Sequence, residues 1–160
     1  GHTELGYLGS TTGAENFNER HIAFLRYVKE LNFKFDPQNE FRVKPTMLGA
    51  HDDFSKILDQ NPVLPSCFFA ENDTIALGAM KALKEKGYKI PNDVSLIGFD
   101  DIPYSSISSP TLTTIHVQRK IMGKQSVIQL MQLIEDPRFM TMKTQITGKL
   151  VERSTGKHHA

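Results

Sequence analysis

Three short clusters of hydrogen-bonding residues carry whatever chemistry this chain performs: Ser10-Thr11-Thr12, Glu71-Asn72-Asp73 and Asp100-Asp101, with Arg20 following the first. Carboxylates accept pairs of hydroxyl protons, while arginine and asparagine supply complementary donors, so the set suits a small polyhydroxylated ligand. The competing account is that these residues only cap helices and close turns. It weighs most for Asp73 and least for the adjacent pair Asp100-Asp101, since two neighbouring carboxylates invite a partner that caps do not require. Arg20 stands between ligand contact and surface ion pair. The aspartate pair could also hold Mg²⁺ or accept a phosphoryl group, but no lysine or second acidic site accompanies it.

Catalytic signatures are poor. Gly6–Gly13 contains glycines but lacks the Gly-Lys-Ser/Thr ending of a phosphate loop and the dinucleotide spacing. The histidines have no metal-ligand spacing except in the tail, and no Gly-x-Ser-x-Gly elbow surrounds Ser105, Ser106, Ser108 or Ser109. No catalytic residue, cofactor or metal is expected.

The clusters must be positioned by strands and helices, and the sequence alternates between them. Leu5–Gly9, Ser66–Ala70 and Val94–Phe99 are apolar runs, each closed by one polar cluster. Helical spacing over Asn16–Leu31 and Thr74–Lys86 separates them, with Asp73 as the expected cap of the second. Phe41–Leu48 is a weaker strand broken at Pro45, and Asp52 or Asp53 could cap a short helix carrying Phe54, Ile57 and Leu58. Continuous apolar strands separated by helices predict a parallel α/β sheet covered on both faces, with the three clusters on its carboxyl edge. Leu112–Val117, a helix over Arg119–Ile134 and a strand near Thr144–Val151 complete the pattern. The last helix is apolar on more than one side, so it requires partners beyond one narrow stripe.

Size and composition fit one soluble domain. The chain has 160 residues, 39% of them hydrophobic, and a formal net charge of +1, which gives no bulk reason for nucleic-acid or membrane binding. The basic stretch Lys81–Lys89 includes Glu85 and reads as a solvated helix face. The single cysteine, Cys67, lies in an apolar run and excludes an internal disulfide, so no oxidising compartment is needed. The chain opens without Met and almost directly on a strand, as expected of a piece of a longer protein. The tail 157–160 is set aside from the fold.

Two segments are specific enough to name a family. Phe69-Ala-Glu-Asn-Asp-Thr-Ile-Ala-Leu-Gly-Ala-Met-Lys-Ala-Leu and Ile90-Pro-Asn-Asp-Val-Ser-Leu-Ile-Gly-Phe-Asp-Asp resemble the lactose/galactose-repressor family of bacterial transcriptional regulators. Pro110-Thr-Leu-Thr-Thr-Ile-His and the opening strand with Asn18-Glu-Arg20 extend the resemblance from Gly1 to about Arg153. It implies a three-layer α/β/α lobe of the type I periplasmic-binding-protein fold. Residues 1–116 would form the C-terminal lobe of the effector-binding domain, 117–145 a crossover belonging to the N-terminal lobe, and 146–156 a final strand returning to the C-terminal lobe.

The same resemblance implies a cytoplasmic homodimer with no membrane contact. It would bind a small-molecule effector, a sugar by family expectation, and reach operator DNA only through a headpiece this chain lacks. By position, Arg20, Asp100, Asn72 and Asn16 match ligand contacts. No aromatic lies near Thr46-Met47 where members commonly stack on ligand, and Val117 and Arg119 replace the glutamine and phenylalanine of the lactose-type site. A sugar-binding protein of an uptake system is the alternative. The segment Ser109–His116 resembles repressors more than transport receptors.

Overall fold

A computed structural model describes residues 1–136, 138, 140 and 142–156, so the tail and Pro137 lie outside the described residues. Six strands form one sheet: β1 (Leu5–Ser10), β2 (Glu40–Val43), β3 (Cys67–Ala70), β4 (Ser95–Asp100), β5 (Thr113–His116) and β6 (Lys149–Val151). Their spatial order is β2-β1-β3-β4-β5-β6, with the first five parallel and β6 antiparallel to β5. The expected parallel sheet therefore carries one antiparallel edge strand.

The helices are α1 (Glu15–Glu30), α2 (Met47–Leu58), α3 (Asp73–Glu85), α4 (Pro103–Ile107) and α5 (Arg119–Glu135). Side chains alternate across a strand, and that alternation sorts the layers. Leu8, Val43, Phe68 and Leu96 point to one face and bury against Ala50, Phe54 and Leu58 of α2 and Ile75, Ala79 and Leu83 of α3. Tyr7 and Phe69 point to the other face, where their rings meet Phe24 of α1 at 4.9 and 5.8 Å. The result is three layers, α/β/α. Helices α2 and α3 pack closely because Gly78 leaves room: a Cβ there would lie 2.4 Å from the Met47 carbonyl oxygen.

Several local assignments differ from the sequence pattern. Helix α2 begins at Met47, capped by the Thr46 hydroxyl accepting from the Gly49 N–H at 3.1 Å, and neither Asp52 nor Asp53 caps it. Asp53 instead accepts from the Lys44 N–H at 3.1 Å, so the strand ends at Val43. Asn72, one residue before Asp73, caps α3 by accepting from Ile75 N–H at 2.8 Å. The short helix α4 has no counterpart in the periodicity, because five residues give too little of it to read.

Helix α5 spans 17 residues and buries none of them. Val127, Leu130 and Ile134 are each more than half exposed. Apolar side chains of this kind ordinarily face a partner, and none of the described elements covers them.

Candidate functional site

The parallel strands β1, β3 and β4 are neighbours, so their carboxyl ends bring the three polar clusters to one edge of the sheet. The chain leaves β1 toward β2 on one side and returns to β3 on the other. This reversal makes the crevice above β1 and β3 the topological switch point where open α/β sheets hold ligands.

Hydrogen bonding divides the clusters into groups spent on the fold and groups left for a ligand. Glu71 is fully buried and accepts from the Tyr7 hydroxyl at 2.8 Å, Ser10 N–H at 2.6 Å and Arg42 Nη1 at 3.2 Å. Burial, followed by the Glu71 hydrogen bond, pushes the Tyr7 phenol well above its ordinary range, so it stays a donor. Asp73 is also fully buried. Its carboxylate accepts from Ile102 N–H at 3.0 Å, Ser105 Oγ at 2.6 Å and the Thr114 hydroxyl. Both acids are structural, as the capping account leads one to expect of Asp73, although Asp73 grips the β4–α4 loop and does not cap its own helix. Ser10 Oγ is spent on Thr12, accepting its N–H at 2.9 Å.

What remains at the edge is the exposed Thr11 hydroxyl, Arg20, Asp100 and the Asn72 amide. Arg20 reaches back from α1, donating through Nη1 to the Glu71 carbonyl at 2.8 Å. Its guanidinium lies 4.0 Å from the Phe99 ring centroid and 5.6 Å from that of Phe17, and 3.8 Å separates Nη2 from Asp100 Oδ1. Stacked and only loosely paired, it is held in place with donors to spare. Asp100 ends β4 with φ 114°, followed by Asp101 at φ 52°, two consecutive non-glycine residues with positive φ. Such backbone clusters at functional sites. Burial raises the Asp100 carboxyl above its ordinary value; Arg20 and Arg119 oppose the rise and Asp73 adds to it. The Asn72 oxygen is used by the α3 cap, which leaves its amide N–H group as the donor. Asn16 is exposed in the first turn of α1, and its side chain makes no hydrogen bond among the described residues.

Of the second ring of residues, sequence reasoning noted only Arg119, as a departure at a cleft position. Arg119 donates to the carbonyls of Asp100 and Asp101 at 2.7 and 3.2 Å. Arg153 donates to Asp101 Oδ1 at 2.6 Å, and His116 Nδ1 lies 2.8 Å from Asp101 Oδ2. Burial works against ionisation of Asp101, but hydrogen bonds from Arg153 and His116 hold its carboxyl below the ordinary range. Arg42 was detectable only as the alternation Glu40-x-Arg42, which places two charges on one face of a strand. Among the described residues no His/Cys/Asp/Glu group could hold a metal ion, and no helix is long and apolar enough to cross a membrane.

The family described as periplasmic binding protein-like domain matches residues 1–155. The chain belongs to that family, within its lactose/galactose-repressor branch. It is 33% identical over 161 residues to the HTH-type transcriptional repressor PurR of Vibrio cholerae serotype O1, covering 98% of this chain and 46% of that one. The repressor of the same name from Pasteurella multocida is 32% identical over 136 residues, with 85% and 40% covered. Among solved structures, the Lac repressor bound to ONPG in its repressed state superimposes with a TM-score of 0.88 at 27% identity, covering 98% of this chain and 46% of that one. The Escherichia coli repressor ascG gives 0.81 at 26%, with 97% and 56% covered. The chain thus spans less than half the length of these curated relatives, and the fold is that of the family's effector domains.

Proposed function

We propose that this chain is the C-terminal wall of an effector cleft in a transcriptional regulator. The observation that carries it is the Arg20–Asp100 pair: a stacked guanidinium and a half-buried carboxylate left facing one another at the switch point while the neighbouring acids are consumed by the fold. A donor and an acceptor so placed recognise vicinal hydroxyls or a polar ring edge, and a sugar is the effector class proposed. Asn72 and Asn16 extend the same wall.

Residues 117–145 form the crossover into an opposite lobe, and 146–156 the returning strand. The exposed apolar sides of α5 support this. Effector bound between two lobes shifts operator affinity by favouring one lobe angle over another. The regulator acts in the cytoplasm as a homodimer. The face proposed for the second copy is the groove of about 520 Å³ between α3 and α4, whose apolar lining includes Met47, Leu77, Met80, Tyr104 and Ile107. Ile107 and Tyr104 are 74% and 60% exposed there. A related Lac repressor is solved as a dimer bound to operator.

The test is a thermal-shift screen of the full-length protein containing this chain against pentoses, hexoses and disaccharides. A binding sugar raises Tm by mass action, and Arg20→Met removes the rise. A screen in which no sugar shifts Tm, or in which Arg20→Met keeps the shift, contradicts the reading.

A further inference from the structure

Asp101 follows the proposed ligand carboxylate, and its own carboxylate is spent on the fold. Three elements converge on it. His116, the last residue of β5, meets Oδ2 at 2.8 Å, and Arg153, just after β6, meets Oδ1 at 2.6 Å. Arg119, the first residue of α5, holds the Asp100 and Asp101 carbonyls. Arg153 is itself anchored, donating through Nη1 to the Leu112 carbonyl at 2.7 Å, and its N–H donates to Thr113 Oγ1 at 2.9 Å. The outgoing strand, the start of the helix that follows and the returning segment are therefore tied to the one dipeptide that presents Asp100.

That dipeptide has positive φ at both positions, a backbone that persists only where surroundings over-determine it. Asp73 holds the loop from the other side through Ile102 N–H.

We infer that Asp101, with Arg153, His116 and Arg119, is a positioning clamp that couples the placement of the Asp100 carboxylate to the two chain crossings at the edge of the domain. The inference rests on the reading of Asp100 as a ligand contact. Any change in the direction in which the chain leaves β5 or returns at β6 pulls on the Asp101 side chain and turns the Asp100 carboxylate. Conversely, a ligand that fixes Asp100 selects one direction of the crossings. The bonds from Arg153 and His116 to the Asp101 carboxylate are short and charge-assisted, the kind that transmits a displacement without slack.

The charged groups facing Asp100 are Arg20 from α1, Asp73 from α3 and Arg119 from α5. Its titration therefore reports its position, and can be followed by carboxyl ¹³C NMR on this chain without any ligand. Arg153→Gln is expected to lower the Asp100 midpoint by about half a pH unit or more as the loosened loop admits water. Loss of a nearby cation alone would raise it, so a rise in this variant counts against the clamp. Asp101→Asn lowers it too, but there loss of the adjacent negative charge acts in the same direction. Arg153→Lys, which keeps the charge but not the fork, restores part of the shift. His116→Gln, at a side chain 40% exposed, is the variant safest to fold and gives a smaller fall of the same sign. A fall in Tm with the Asp100 midpoint unmoved in all of these variants overturns the clamp and leaves a merely structural ion pair. Because no effector is used, that result is separate from failure of the sugar screen, which would sink the ligand reading alone.

Discussion

Gly98→Ala offers a sharp test of how the site is supported. Gly98 lies in β4, two residues before Asp100, and a Cβ there would stand 2.2 Å from Asp73 Oδ1 and 3.0 Å from Leu112 Cδ2. The carboxylate cannot yield freely, because it accepts from Ile102 N–H, Ser105 Oγ and the Thr114 hydroxyl while fully buried. Moving it breaks at least two hydrogen bonds to a charged group, at roughly 1.5–3 kcal/mol each, partly offset by the small apolar gain of one methyl. The expected loss is about 4 kcal/mol, a large share of the roughly 5–15 kcal/mol of a whole domain. With a urea m-value of about 2 kcal/mol/M, the unfolding midpoint read by circular dichroism falls by about 2 M at unchanged slope. Gly13→Ala, with nothing within 4 Å of the added carbon, serves as control and stays within about 0.5 kcal/mol. A Gly98→Ala loss below about 1 kcal/mol would refute the reasoning that Asp73 is a fixed post for the β4–α4 loop.

Asn72→Ala removes the α3 cap and costs about 1 kcal/mol in the same assay. Asp101 and Glu40 are both held below the ordinary carboxylate range, against the pull of burial, Glu40 by Arg42 and His21. Their stabilising contribution is therefore present above the unfolded-state value and lost as pH falls through the depressed one; Asp101→Asn flattens that acid limb of a stability–pH curve. Asp100 has the opposite sign: its raised value means that stability is given up as pH rises through it, so Asp100→Asn keeps or raises Tm at pH 7. Cys67, 7% exposed, has its thiol pushed up to about 11 by burial, and iodoacetamide labels it only as fast as the chain opens. On the proposed reading of the chain as one wall, calorimetry on it alone detects no sugar binding tighter than about millimolar, because one wall gives too few contacts to offset the cost of association; micromolar affinity would contradict that reading.

The fold was legible because its strands are continuous apolar runs and its ends are punctuated by polar clusters. Helix α1 is predicted at Asn16–Leu31 and found at Glu15–Glu30. Where the sequence misled, a nearer hydrogen-bonding partner won: Thr46 over Asp52 and Asp53, and Asn72 over Asp73. The site was half legible. Strand ends and a βα helix place Arg20, Asn72 and Asp100 along one edge by topology alone. Which acids are buried is not a property of the strand pattern. Capping already weighed against Asp73 in the sequence, but nothing there marked Glu71 as spent, and only Tyr7, Arg42, Ser105 and Thr114, brought from distant positions, show how both acids are satisfied. The clamp around Asp101 was invisible for the same reason, since Arg153 lies 52 residues away along the chain.

The most direct test of the central claim is the affinity of the screened sugar for Arg20→Met and Asp100→Asn in the full-length regulator, measured by calorimetry. On the proposed reading each group pairs with ligand from a partly buried position, so each substitution is expected to weaken binding by at least about tenfold, or 1.4 kcal/mol, without lowering Tm in proportion. Affinities within about twofold of the parent for both variants would show that the effector is held elsewhere.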